Sequence, residues 1–393
     1  MPDSVPRLDQ LGWFALLVLV AVVLGELARF VKMPRILGYV AAGIALGPYG
    51  TGLMHWATTY DLRVLVDVAL GLLLFELGHA LDMTWLRRNP WLLATSVLEA
   101  GLTFAAVYGA LRLAGVSNIY CAGAAAIGMS TSPAIVVQLT RELRAQGQVT
   151  ERLRVLTALN SAYAVIAVSV WISWLHLEYE QSPAVAVLHP IYLMAGALLI
   201  AVVAALVARL IPRNFRSHRS SILLIVLGLI LIVIAGAKAF VLSPLLSLLL
   251  FGSMARRWVP WLRVLPPDLA TISSMTAVIL FALIGASLNP SIVSRAAIPA
   301  TAFILARLVA KCAASFATAV PAGITLRKGS MLGLGLAPMS GLAIVMVQDV
   351  TGIYPALPSD LSLTILSAVV VLEIVGPILT SVALGGAKES HRD

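Results

Sequence analysis

The chain alternates long apolar runs with short polar connections from one end to the other. The runs lie near 11–30, 36–53, 62–80, 91–111, 118–139, 152–175, 185–208, 221–240, 243–255, 270–290, 296–321, 331–349 and 361–384. Most approach the roughly 20 residues that a helix needs to cross a bilayer. The pattern predicts an all-α polytopic membrane protein with about thirteen transmembrane helices and no separate soluble domain. The first run, "LGWFALLVLVAVVLGELARF", is too long for the apolar region of a signal peptide and lacks a small-x-small cleavage site, so it counts as predicted helix 1.

Two runs carry their poorest helix formers in the middle. "AAIGMSTSPAIVV" (Ala125 to Val137, predicted helix 5) centres on Ser130, Thr131, Ser132 and Pro133. "APMSGLAIVM" (Ala337 to Met346, predicted helix 12) centres on Pro338, Ser340 and Gly341. Freed backbone N–H and C=O groups cost several kcal/mol each in lipid, and are tolerated where the unwound chain lines a polar cavity. A lone proline kink explains one such break. A pair, one in each half of the chain, points instead to two inverted repeats, with crossed discontinuous helices 5 and 12 offering half-helix ends to a solute. Predicted helices 1–6 and 8–13 would then be the repeats, joined by linker helix 7.

Composition agrees: 60% of the 393 residues are hydrophobic and 11% are charged, against about 25% charged in soluble domains. The net charge of +9 does not imply nucleic acid, because the basic residues are sorted by topology. Twenty of the 27 Lys and Arg follow odd-numbered helices, five (Arg7, Arg63, Arg112, Lys238, Arg295) lie on the opposite side, and Arg307 and Lys311 fall mid-membrane. The positive-inside rule places the N-terminus outside and the C-terminus in the cytoplasm, with the basic side against anionic lipid. Cys121 and Cys312 lie within apolar runs and read as small buried residues. There is no P-loop, no dinucleotide-binding glycine motif and no His/Cys cluster, so neither enzyme chemistry nor a cofactor or metal is expected.

Four stretches resemble the cation:proton antiporter superfamily, in its bacterial sodium/proton antiporter and potassium-efflux branch. They are "VKMPRILGYVAAGIALGPYGTGL", "LGLLLFELGHALDMTWLRR", "GMSTSPAIVVQLTRELR" and "LARLVAKCAASF", the last placing Lys311 where the family keeps a membrane-embedded basic residue. The resemblance covers nearly the whole chain. It implies a scaffold and dimerisation domain (1–90 and 220–292), a core transport domain (91–180 and 293–386) and linker helix 7 (181–219). It further implies a homodimer in the bacterial inner membrane that exchanges a monovalent cation, Na⁺ or K⁺, for protons by elevator-like alternating access. The nucleotide-binding regulatory domain of many potassium-efflux relatives is not expected after predicted helix 13.

The resemblance fails at the residue that should carry the proton. Family members place an aspartate at the centre of predicted helix 6, where "LTALNSAYAVIAV" offers Asn160 and Ser161. A serine hydroxyl does not titrate near neutrality, although it can ligate a cation through oxygen. The family's glutamate on predicted helix 3 is Ala80, with Glu76 one turn earlier, and that on predicted helix 12 is Leu342. Lys311 remains, about 15 Å from either end of its run, too deep to snorkel to water and in need of a partner. Glu99 and Glu373 are the candidates, being the repeat counterparts of Lys311 and of Asn160–Ser161. Arg307, on the same face as Lys311, is expected to snorkel outward, and His79 to lie at an interface. Glu26 and Asp67 are expected near interfaces or in the scaffold. The missing aspartate leaves two other classes open: a transporter of an anionic or neutral organic solute, and a non-transporting sensor or scaffold.

Overall fold

The computed structural model describes residues 10–53, 63–178, 183–212, 219–339, 341–353 and 359–391. Among them there are helices and no strands. The first part of the chain forms α1 (Gln10–Phe30), α2 (Arg35–Leu46), α3 (Arg63–Ala80), the short α4 (Met83–Arg88), α5 (Pro90–Leu113), α6 (Asn118–Gly128), α7 (Pro133–Glu142), α8 (Gln148–Glu178) and α9 (Pro183–Leu210). The second part forms α10 (Arg219–Ala239), α11 (Pro244–Trp258), α12 (Pro267–Ser287), the single turn α13 (Ile292–Arg295), α14 (Ala297–Ala317), α15 (Leu326–Gly335), α16 (Gly341–Ile353) and α17 (Ser359–Gly386). Nine of the described spans, counting α6 and α7 as one, are long and apolar enough to cross a membrane. The expected thirteen is not reached on that measure. At 12 residues α2 spans little more than half a bilayer, and α15 and α16 are separate pieces.

Helix packing repeats in inverted order. α2 packs on α12 and α3 on α11; α5 packs on α14; α6 packs on α8 as α15 packs on α17. Glycines permit the closest approaches. A Cβ on Gly43 would meet the carbonyl of Ala282, and one on Gly285 that of Val40, so α2 and α12 touch backbone to backbone. Gly78 and Gly252 do the same for α3 and α11, against the carbonyls of Leu249 and Phe75. In lipid, association gains from such close van der Waals contact rather than from apolar burial.

Both expected breaks are present. α6 stops at Gly128, the chain unwinds and is extended by Ser132, and α7 starts on Pro133, whose missing N–H costs nothing at a first helical position. Ser132 caps α7, accepting from the N–H of Ile135 at 3.3 Å. α15 stops at Gly335 before the second break, which contains Pro338. The two unwound segments meet: the N–H of Ser132 donates to the carbonyl of Pro338 at 3.0 Å, and the Thr131 hydroxyl to that of Leu336 at 3.3 Å. Ser340 lies outside the described residues.

Candidate functional site

The crossing brings together two carbonyl-rich helix ends, the C-termini of α6 and α15, and α14 answers them with two cations one turn apart. Arg307 is 1% exposed. Its Nε donates to the carbonyl of Gly128 at 2.9 Å, Nη1 to that of Ala337, and Nη2 to those of Ser130, Leu336 and Pro338. One guanidinium thus caps the C-terminal ends of α6 and α15 together. Those ends carry the negative pole of each half-helix, and a fork of five N–H donors suits them. The expected outward snorkelling is therefore wrong. Helix orphans beside the residue compete for its charge more strongly than distant water does.

Lys311, one turn further along α14, is fully buried, as is Glu99 on α5. The Lys311 amine pairs with Glu99 Oε1 and also donates to the carbonyl of Met129 (3.2 Å) and to Thr131 Oγ1 (3.3 Å). Its three protons are all engaged. The hydroxyl of Thr103 donates to the same Glu99 oxygen at 3.3 Å. Of the two glutamates proposed as partners of Lys311, the structure brings Glu99 to it and leaves Glu373 apart. The packing of α5 on α14 makes this pair, so the two repeat-related helices carry opposite charges at their contact.

Thr131 joins this pair to α8. Its hydroxyl accepts from Lys311 and from Asn160 Nδ2 (3.3 Å), and its carbonyl accepts from the hydroxyl of Ser161 (3.2 Å). Ser161 donates also to the carbonyl of Thr157 at 2.8 Å, and Ser130 to that of Ile127 at 2.8 Å. Their oxygens tie down the unwound chain. Four buried oxygens near these residues in sequence accept nothing: Glu99 Oε2, Asn160 Oδ1, Thr157 Oγ1 and Ser315 Oγ. On the residues of this network Glu99 Oε2 and Asn160 Oδ1 are spare acceptors while the Arg307 and Lys311 donors are engaged, an arrangement that suits a proton or a dehydrated cation.

Glu373, midway along α17, is fully buried, and neither carboxylate oxygen has a hydrogen-bond partner. Glu76 lies elsewhere. It pairs with Arg141 at the end of α7 and accepts from the hydroxyl of Ser273 on α12 at 3.3 Å, tying α3 and α12 to the broken helix. Arg141 lines a cavity of about 410 Å³ with Arg35, Tyr39 and Gln138, between α2, α7 and α12. A second cavity, of about 440 Å³, is lined by Gly115, Tyr120, Arg295, Pro299 and Leu363. Neither is lined by Lys311, Glu99, Asn160 or Glu373.

His79, in the last turn of α3, is buried in the protein, with its Nε2 against the carbonyl of Leu262 at 2.6 Å. Glu26 is half exposed and pairs with Arg29 and Arg35, and Asp67 pairs with Lys238. Sequence reasoning passed over Glu389, at the end of the chain. Its carboxylate accepts from the N–H groups of Val149 and Thr150 at 2.9–3.0 Å, from the Thr150 hydroxyl at 3.0 Å and from Lys328 at 3.1 Å. Nothing local in the tail pointed to the start of α8.

Comparison with known proteins places this geometry. The family described as sodium/hydrogen exchanger, transmembrane, matches residues 15–385. Two structures of the sodium proton antiporter MjNhaP1 from Methanocaldococcus jannaschii share the fold. The structure at pH 8 has a TM-score of 0.72 at 16% identity, covering 97% of this chain and 98% of that one. The electron-microscopy structure has 0.74 at 15% identity, covering 97% and 96%. The iron transporter MagA of Paramagnetospirillum magneticum is 34% identical over 74 residues, so the similarity spans 19% of this chain and 17% of that protein. With a family match over almost the full length, on a multi-pass helical fold with crossed breaks and a buried ion pair, the chain belongs to the transmembrane sodium/hydrogen exchanger family, a family of cation:proton antiporters and not of enzymes.

Proposed function

We propose that this protein exchanges a monovalent cation, Na⁺ or K⁺, for protons by elevator-like alternating access. The observation that carries the proposal is the crossing itself. A dry centre at the ends of four half-helices has its fixed positive charges engaged and leaves one carboxylate oxygen (Glu99 Oε2) and one amide oxygen (Asn160 Oδ1) without donors. Such a centre attracts a cation and can give up a proton for it. Thr131, Ser132, Asn160 and Ser161 supply oxygens around it, and Arg307 and Lys311 hold its negative helix ends and Glu99. An anionic solute is disfavoured, because the one lysine it would seek is already bound to Glu99 and two further acceptors. Iron is disfavoured too: among the described residues no cluster of three His, Cys, Asp or Glu forms a metal site.

In this reading α5–α8 and α14–α17 form the moving core, α1–α3 and α10–α12 the scaffold and homodimer interface, and α9 the linker. The Glu76–Arg141 pair and the cavity beside it lie on that boundary, where a sliding core would make and break contacts. The arginine-rich connections face the cytoplasm of a bacterium and its anionic lipid, with the N-terminus outside.

The test is flux. Purified protein in proteoliposomes with an imposed pH gradient is challenged with NaCl, KCl, choline chloride and an iron(II) salt. Collapse of the gradient on adding Na⁺ or K⁺, and not choline, is the expected result. A gradient indifferent to both cations would end the proposal.

A further inference from the structure

We propose that Glu373, and not Glu99, is the acid that trades its proton for the transported monovalent cation. The proposal rests on the cation:proton exchange inferred above and assigns its missing chemical group.

The buried charged residues of the described structure are Glu76, Glu99, Arg307, Lys311, Glu373 and Glu389. Five of them have a counter-ion or main-chain partners. Glu373 has none, and both its oxygens are sealed from solvent. Ionised and unpaired, such a group costs far more than a protein tolerates, so it holds a proton unless a cation takes the proton's place. Glu99 differs in that Lys311 already neutralises it. A cation approaching Glu99 meets an ammonium already held there by three acceptors, so it adds a second positive charge to a carboxylate that is already neutralised.

Position supports the assignment. Glu373 lies fourteen residues from Ser359 and thirteen from Gly386, the ends of α17, so about 20 Å from each end at helical rise. One face of α17 runs down the second break. The Thr380 hydroxyl donates to the carbonyl of Gly335 at 3.1 Å, and Gly376 packs against Pro338. The next step along that face, three residues before Gly376, is Glu373. Pro377 has no N–H to offer the carbonyl of Glu373, so the same turn adds a main-chain acceptor without its helical donor.

The charged groups on the packed helices are spoken for or remote. Arg307 and Lys311 on α14 are engaged at the crossing, and Arg141 on α7 is paired with Glu76. Glu142 on α7 accepts from the N–H of Arg35 on α2, whose side chain pairs with Glu26. Arg327 and Lys328 stand in the first turn of α15, Arg295 ends α13, and Asp349 falls near the far end of α16.

The step balances simply. The O–H bond of the Glu373 carboxyl breaks, its proton leaves to water, and the cation takes up the carboxylate oxygens. The site is neutral in both states, so exchange by this route is electroneutral.

The experiment measures protons released when NaCl or KCl is added to purified protein in weakly buffered detergent with a pH indicator dye. Wild type is expected to release about one proton per cation bound. Glu373→Gln is expected to release none while keeping its melting temperature, and Glu373→Asp to release at a shifted pH. Glu99→Gln is expected still to release. Release from Glu373→Gln at the wild-type level, or its loss in Glu99→Gln alone, overturns the assignment and leaves the antiporter reading standing. Release with an unchanged pH midpoint in Glu373→Asp also overturns it. Absence of release from wild type, together with no flux in proteoliposomes, sinks both.

Discussion

Removing either member of the Lys311–Glu99 pair should cost far more than removing both. Lys311→Met leaves a carboxylate at the α5–α14 contact with only the Thr103 hydroxyl to answer it. Glu99→Leu leaves an ammonium with two neutral acceptors, the Met129 carbonyl and Thr131 Oγ1. Both groups are fully buried, and breaking a pair so placed costs about 3–5 kcal/mol. The double variant removes both charges in favour of apolar groups of similar size, a change that is often neutral or stabilising. The coupling energy, the two single losses less the double loss, should therefore exceed about 3 kcal/mol. Equilibrium unfolding in mixed micelles titrated with SDS gives the four free energies. A coupling below about 1 kcal/mol, the range of exposed pairs, would refute the reasoning. It would mean that water or a second partner reaches the centre.

Two further outcomes follow from other contacts. Arg307→Met removes a donor from five carbonyls, of which those of Leu336 and Pro338 keep Thr131 and Ser132, and should lower the melting temperature more than Arg307→Lys, which keeps a charge and three protons; equal losses in a fluorescence melt would show that the guanidinium fork does not matter. At Glu389, burial opposes ionisation, but the N–H groups of Val149 and Thr150 and the Lys328 amine outweigh it and hold the carboxyl below its ordinary pKa. A lowered folded-state pKa gives stability that is complete above the unfolded value and is lost as pH falls through the folded one. Glu389→Gln should therefore melt lower than wild type at neutral pH, by about 1–2 kcal/mol of stability, and the gap should close below about pH 4. A gap that persists unchanged in acid contradicts the role of the charge.

The large features of the fold were legible because lipid leaves the chain few choices. Apolar run length fixes helix placement, and the breaks at Ser130–Pro133 and around Pro338 are visible because unwound chain at that depth needs a reason. What escaped were contacts set by the crossing of distant segments. Arg307 looked free to snorkel because its five acceptors come from α6, α15 and the two breaks, which no local pattern around residue 307 reveals. The partner of His79 was hidden for the same reason: it is the carbonyl of Leu262, 183 residues along. Glu389 reads as one charge among several in a mixed tail until the N-terminus of α8 is set beside it.

Loss of the family's aspartate has a physical consequence for the two repeats. Asn160 and Ser161 are neutral, so α8 offers dipoles alone at the crossing, with the Asn160 amide N–H and the Ser161 hydroxyl holding Thr131. The repeat counterpart in α17 is Glu373, whose oxygens are bonded to nothing. A proton-coupled carrier needs one group that is costly to ionise without its ion and cheap to ionise with it. Polar residues that are already satisfied cannot be that group, and neither can a glutamate neutralised by a resident lysine. In an inverted repeat the same crossing is presented to both halves, so a carboxylate moved from one half to the other still faces a half-helix end. The chemistry can thus change sides while the scaffold of breaks, Arg307 and the Lys311–Glu99 pair stays where it is.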